Sequence, residues 1–402
     1  MITNKSDRKK IGIIFSGGPA PSANTVISAC ALSFFEHNIQ CIGFFKGYEF
    51  LECFDKKNPN LFHGIHYIKI DHTISQIRNR RGIFLRTSRA NPGKQVRAME
   101  DFKNPEKIAQ LRNIIDALEH LNIGTLISIG GDDTLKTANF LKILGINVIH
   151  IPKTIDNDYF GIPWTFGFWT CVDVAKSMIL NLRADAMATD SFVIAEMMGR
   201  KSGWITYAAG IAGESIKMIS NEDINVKYLD LDDLGTELAN LIISRQKMMR
   251  PYGVICVSEG LVEKLPDKML PKEKDKHGNL QLTQVQIGRK IRDITRTKYK
   301  EITGRDIKII YKQVGYETRA AQPISFDVVL GSMLGHGAYK LYANKQFGHM
   351  VSVSDNFDIL AIPFEELIDP ETLLTKVRLV PKGSDFYNLK ETLAFREFED
   401  LY

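Results

Sequence analysis

No stretch of eighteen consecutive apolar residues occurs in these 402 residues, so nothing in the sequence has the length of a membrane-spanning helix. The first ten residues are polar and basic and run directly into a short β-type segment, without the apolar region of a secretory leader. Cysteine is scarce: the five (Cys30, Cys41, Cys53, Cys171, Cys256) are odd in number and never spaced C-x-x-C. That pattern argues against a disulfide scaffold or a structural zinc site and predicts a reduced, cytoplasmic setting. The histidines are dispersed without metal-ligand spacing and are assigned no role. Charge of one sign is lacking too, since 52 Lys and Arg face 47 Asp and Glu for a net +5. The nearest basic cluster, Arg78 to Arg89, is short and broken by Gly82, Thr87 and Ser88. It suits small phosphate ligands better than nucleic acid, and neither nucleic acid nor membrane is expected as a partner.

What is present is an ordinary globular composition in a chain long enough for two domains. β-rich runs alternate with helical patterns: Ile11–Ser16, Asn24–Glu36 and Ile39–Phe45 open the chain. An apolar helical face at Ile108, Leu111, Ile114, Ile115, Leu118 and Leu121 is followed by a strand at Thr125–Ile129, a helix near Thr134–Leu144 and a strand at Asn147–Ile151. Helices near 171–183, Ser202–Ala212, Asp232–Met248 and Thr283–Arg296 are expected to separate strands at Phe192–Glu196, Gly253–Ser258 and Ile307–Val314. This alternation predicts parallel α/β sheets. The Lys-, Glu- and Pro-rich residues 263–281 read as an exposed insertion, and the last 55 residues carry no legible chemical motif.

Several strand ends carry chemistry. Ser16-Gly17-Gly18 through Asn24 joins a strand to a helix, where glycine amides and a helix N-terminus can hold an anion or simply make a tight turn. Gly130-Gly131-Asp132-Asp133-Thr134 repeats that geometry with two carboxylates, which cap a helix or hold a Mg²⁺ that bridges to phosphate. Pro152-Lys153-Thr154-Ile155-Asp156-Asn157-Asp158 follows the next strand, so a short crossover would crowd four acids together around one lysine. Alone it reads as an Asx-rich turn; with Lys153 it suits a phosphoryl group in transfer, one carboxylate accepting a hydroxyl proton. Met198-Gly199-Arg200, Ser258-Glu259-Gly260 and Gly315-Tyr316-Glu317-Thr318-Arg319 close later strands and are weak signals singly.

In this order the segments resemble the phosphofructokinase family from about Ile11 to Tyr342. The family's first loop matches Gly17-Gly18 through Asn24, its phosphate-donor loop Gly82 through Arg89, its metal loop Gly130 through Thr134, and its base loop Thr154 through Asp158. Its sugar-phosphate motifs match Met198-Gly199-Arg200, Glu259-Gly260 and Gly315 through Arg319, followed by Pro323 and Phe326-Asp327. The resemblance implies two Rossmann-like three-layer α/β/α domains with the active site in the cleft between them. The donor domain is expected at 1–167 plus about 318–370, the sugar domain at 168–317 plus about 371–402. It implies Asp156 as the base toward the sugar 1-hydroxyl, with Lys153 and Arg200 as further catalytic groups and Asp132 at Mg²⁺. Diphosphate would be held by Gly17, Gly18, Arg89, Gly131, Asp133, Thr134 and Lys153. Fructose 6-phosphate would be held by Thr154, Ile155, Asp156, Met198, Gly199, Arg200, Glu259, Lys308, Tyr316, Glu317, Thr318 and Arg319, with Lys312 an alternative to Lys308.

Asp133 and Lys153 look like the pyrophosphate-using branch, whose ATP-using counterparts usually carry glycine at both places. A side chain at 133 fills space that a nucleotide's α-phosphate needs, and Lys153 adds positive charge beside a small, dense donor. Pro19 and Ser22 depart from the family's usual Asp and Gly, and Ser191 falls near where many members place a neighbouring subunit's Arg. The implied activity is reversible, Mg²⁺-dependent phosphorylation of fructose 6-phosphate by pyrophosphate, a glycolytic step, in a cytoplasmic homodimer or homotetramer. The alternatives are an ATP-dependent 6-phosphofructokinase, a related kinase acting on a lipid or dinucleotide, and a non-catalytic sugar-phosphate-binding subunit.

Overall fold

The computed structural model describes residues 10–266, 269–270 and 285–394; most of the expected insertion at 263–281 lies outside them. Its strands are β1 Lys10–Phe15, β2 Gln40–Phe44, β3 Tyr67–Ile70, β4 Ile123–Gly130, β5 Asn147–Pro152, β6 Phe192–Met197, β7 Lys217–Ile219, β8 Gly253–Ser258, β9 Ile309–Val314, β10 His349–Val353 and β11 Ile359–Pro363. The chain divides into two compact units, comprising the described residues of Met1–Ile155, Tyr159–Thr170 and Arg319–Val377, and those of Asp156–Asp158, Cys171–Thr318 and Arg378–Tyr402. The triplet 156–158 thus groups with the second unit, not with the first as the sequence reading had it.

The first unit is built on a seven-stranded sheet in the order β11-β10-β5-β4-β1-β2-β3. β1 runs parallel to both β2 and β4, and β4 parallel to β5, whereas β3 and β11 are antiparallel edges. The chain leaves β1 for β2 on one side and returns to β4 on the other, so the topological switch point lies between the carboxyl ends of β1 and β4. The helix Ser325–Ala343 packs on the helix Ala23–Phe35 so closely that a Cβ on Gly335 would stand 2.6 Å from the Val26 carbonyl oxygen. Three glycines in that helix (331, 335, 337) disfavour it by about 1 kcal/mol each relative to alanine, which hid it from pattern reading; close packing offsets the loss.

The second unit carries a four-stranded, all-parallel sheet in the order β7-β8-β6-β9. Phe192 and Ile194 of β6, Ile255 and Val257 of β8 and Ile309 of β9 face one core. The helix Leu231–Lys247 adds Leu234, Leu238 and Ile242 at helical spacing, and its N-terminus is capped by the Asp230 carboxylate, which accepts from the amides of Asp232 and Asp233. Burying each such aliphatic side chain contributes about 1.5–3 kcal/mol. Here too the switch point falls at a central strand, between the carboxyl ends of β6 and β9. No described helix is long and apolar enough to cross a membrane.

Candidate active site

In the first unit, register brings three loops to one sheet edge: Phe15 of β1 pairs with Ile129 of β4, and Gly130 of β4 with Pro152 of β5. The residues that follow, Gly17-Gly18, Gly131-Asp132-Asp133 and Lys153, therefore emerge side by side at the carboxyl ends of parallel strands. Gly17 needs to be glycine, since its φ is +88°. Its amide donates to the Ser88 carbonyl at 2.8 Å, and its carbonyl accepts from Thr87 Oγ1 at 2.6 Å. The expectation of a bare amide at Gly17 is thereby corrected: that N–H ties the first loop to the Gly82–Arg89 segment, whose own Arg89 is exposed. A Cβ on Gly18 would meet nothing within 4 Å, so crowding by the protein is not what keeps this position glycine.

Lys153 is buried, and its Nζ donates to the Gly18 carbonyl at 2.9 Å while its own amide donates to Gly130. The ammonium lies so near the turn that a Cβ on Gly17 would be 3.4 Å from it. Gly131 caps the helix Asp132–Ile143, which starts two residues earlier than the sequence suggested and carries both Asp132 and Asp133 in its first turn. Two carboxylates complement the helix dipole there, so an incoming anion needs a cation with it. Asp133 is exposed, Asp132 partly so, and Thr134 is buried against Gly130. Ser22 takes a left-handed φ of 66° at the start of the helix Ala23–Phe35.

In the second unit, Met197 of β6 pairs with Ser258 of β8 and with Val314 of β9, and the loops beyond them enclose a cavity of about 140 Å³. Met198, Glu259, Tyr316 and Glu317, all named from the sequence, line it together with Glu196 and Gln313, which the sequence reading did not single out. Glu196 is buried at a strand position that reads as core; it accepts from the Gly288 amide at 2.8 Å and from the Tyr311 hydroxyl at 3.0 Å, and burial raises its pKa. Gly199 has φ +119° and its carbonyl accepts from Ser258 Oγ at 2.7 Å. Gly260 admits no side chain, because a Cβ would come 2.1 Å from the Arg200 carbonyl oxygen. Thr318 is buried and donates to the Gly315 carbonyl, and Arg319 closes the short helix Tyr316–Arg319.

The loop with Asp156 leans on this arrangement: Ser202 Oγ donates to the Asp156 carbonyl at 3.3 Å. Asn157 is fully buried in a left-handed turn with φ 53°, and Asp156 is partly exposed. Thr154 and Ile155, partly and wholly buried, complete the stretch from Lys153. Two of the residues named from the sequence stand outside this cavity. Arg200 does not line the cavity; its Nε donates to Glu263 Oε1 at 2.6 Å in a half-exposed pair. Lys308 precedes β9, at the amino end of the strand whose carboxyl end forms the cavity, roughly 20 Å away at about 3.3 Å per residue. Lys312, 3.9 Å from Glu317, is at the right edge. Among the described residues no group of three or more His, Cys, Asp or Glu could hold a metal ion.

The model of the family described as phosphofructokinase matches residues 10–342. The chain belongs to the phosphofructokinase family. It is a phosphotransferase by that membership. A pyrophosphate–fructose 6-phosphate 1-phosphotransferase of Thermotoga maritima is 32% identical, over 98% of this chain and 92% of its own length. An ATP-dependent 6-phosphofructokinase 3 of Bacteroides thetaiotaomicron is 29% identical, over 91% of this chain and 95% of its own. Both donor types thus occur among family relatives at similar identity. Among solved structures, a pyrophosphate-dependent phosphofructokinase of Marinobacter aquaeolei superposes with TM-score 0.68 at 18% identity, covering 98% of this chain and 94% of that one. The phosphofructokinase of Saccharomyces cerevisiae gives 0.65 at 19%, this chain spanning 45% of that longer one. These likenesses show the shared fold.

Proposed function

We propose that this phosphofructokinase-family member transfers a phosphoryl group from pyrophosphate to the 1-hydroxyl of fructose 6-phosphate, reversibly. The observation that carries the donor assignment is the Lys153 ammonium, buried against the Gly17-Gly18 turn at a topological switch point. A fixed cation there stabilises charge on a compact donor, and Asp133, exposed in the first turn of its helix, opposes the α-phosphate of a nucleotide. The acceptor assignment rests on the 140 Å³ cavity lined by Met198, Glu259, Tyr316 and Glu317.

Asp132 fits Mg²⁺, because this ion is commonly held by one or two carboxylates plus substrate phosphates rather than by a protein cage. When bound it would neutralise donor charge. The protein's own residues do the rest. Glu259 accepts sugar hydroxyls, Arg200 meets the sugar phosphate, and Asp156 takes the 1-hydroxyl proton as the new P–O bond forms. Asp156→Asn is expected to lower kcat by at least roughly 10² with little change in KM for the sugar. An aldolase-coupled assay with pyrophosphate and ATP in parallel tests the donor, and turnover with ATP alone would reject it.

A further inference from the structure

The segment after Val377 returns to the second unit and grips the loop that carries Asp156. The Arg378 amide donates to the Asp158 carbonyl at 2.8 Å. The Arg378 carbonyl accepts from Trp204 Nε1 at 3.2 Å, and its guanidinium lies 4.4 Å over the indole, whose other contacts include the stacked Phe386 ring at 5.3 Å. Two residues on, the Val380 amide donates to Glu222 Oε1, the same oxygen that accepts from Gly203. Farther along, Lys390 is 1% exposed and donates to Asp223 Oδ1 at 2.5 Å, where the Tyr387 hydroxyl also donates at 2.8 Å. Breaking such a buried charge pair is expensive, so this end of the segment is firmly fixed.

We infer that residues 378–390 are a positioning strap for the catalytic base: Arg378, through its main-chain N–H, sets the Asp156–Asp158 loop from one side while Ser202 sets it from the other. The two hydrogen bonds fall on Asp158 and Asp156, with the buried left-handed Asn157 between them, so the backbone bearing the Asp156 carboxylate has little freedom. The strap's anchors, Trp204, Glu222 and Asp223, all follow the loop of Arg200, so base and sugar-binding loop share one support. In this role Arg378 is a positioning residue, acting on the base through its main chain. Its effect belongs in kcat, since a displaced base impairs proton transfer more than binding.

The inference rests on Asp156 being the base, so Asp156→Asn is measured beside the strap variants. Arg378→Pro deletes the N–H. It is expected to lower kcat about tenfold, to leave KM for fructose 6-phosphate within about threefold, and to move the acid limb of the kcat–pH profile, which a mere loss of folded enzyme does not. Arg378→Ala keeps the N–H and falls by no more than about threefold. If Arg378→Pro does not fold, Trp204→Phe serves, putting a smaller aromatic ring in place of the indole and removing the Nε1–H; kcat is expected to fall several-fold. Parental kcat in both Arg378→Pro and Trp204→Phe, or a rise in KM matching the loss in kcat, overturns the strap. Inactive Asp156→Asn with undisturbed strap variants would overturn the strap alone, whereas an active Asp156→Asn would overturn the base assignment and the strap together.

Discussion

The Lys153 ammonium donates a 2.9 Å hydrogen bond to the carbonyl of Gly18, joining the loop after β5 to the loop after β1. A buried cation held there by a backbone oxygen is a fixed feature of the proposed donor side. Replacing Lys153 with Gly should therefore cut kcat/KM for pyrophosphate by roughly 10² or more. Asp133→Gly combined with it should improve binding of ATP or a non-hydrolysable analogue. Calorimetric titration of parent and double variant checks this, and equal nucleotide affinity would remove the steric part of the donor argument.

Arg200 is engaged by Glu263 at 2.6 Å, and under the proposed function a sugar phosphate competes with Glu263 for it. Half-exposed pairs contribute at most about 1 kcal/mol. Glu263→Gln is thus expected to lower KM for fructose 6-phosphate by up to about fivefold with kcat little changed. Steady-state kinetics decide it; an unchanged KM would mean that the pair does not compete with substrate.

Placement along β9 separates two lysines. Lys308→Ala should leave KM for the sugar within about twofold, while Lys312→Ala should raise it more. A large KM effect at Lys308 would contradict its position at the amino end of the strand.

Asp327 is buried beneath Thr170, whose amide and hydroxyl both donate to its Oδ2, and burial raises its pKa to about 6 despite those bonds. A carboxyl whose folded value lies above its unfolded 3.8 favours folding below that pH and loses the contribution as pH rises through about 6. Relative to Asp327→Asn, the parent should lose stability across that window, by roughly 3 kcal/mol at most. Denaturant unfolding of both proteins at several pH values measures the difference; a pH-independent gap would refute the burial account.

Local pattern made much of this legible. The strands β1, β4, β5, β6, β8 and β9 and the helices between them were readable because parallel α/β units alternate apolar runs with turn residues at fixed places. The loops with Gly17, Asp132, Asp156 and Glu259 were readable for the same reason, each standing at a strand's end. The β10–β11 hairpin and the helix Ser325–Ala343 were not, because a partner 200 residues away stabilises β10 and close helix packing selects the three glycines. Glu196 was hidden because an acid inside an apolar strand gives no sign of the Gly288 and Tyr311 groups that hold it. Arg378 acts through its main chain, which side-chain chemistry does not reveal.

The most direct test of the donor is ³¹P nuclear magnetic resonance of the protein mixed with fructose 6-phosphate, pyrophosphate and Mg²⁺, without nucleotide. The account predicts loss of the pyrophosphate signal with matched growth of inorganic phosphate and of a new sugar 1-phosphate. It also predicts regeneration of pyrophosphate from fructose 1,6-bisphosphate and phosphate. A static pyrophosphate signal in a sample that turns over once ATP is added would contradict it.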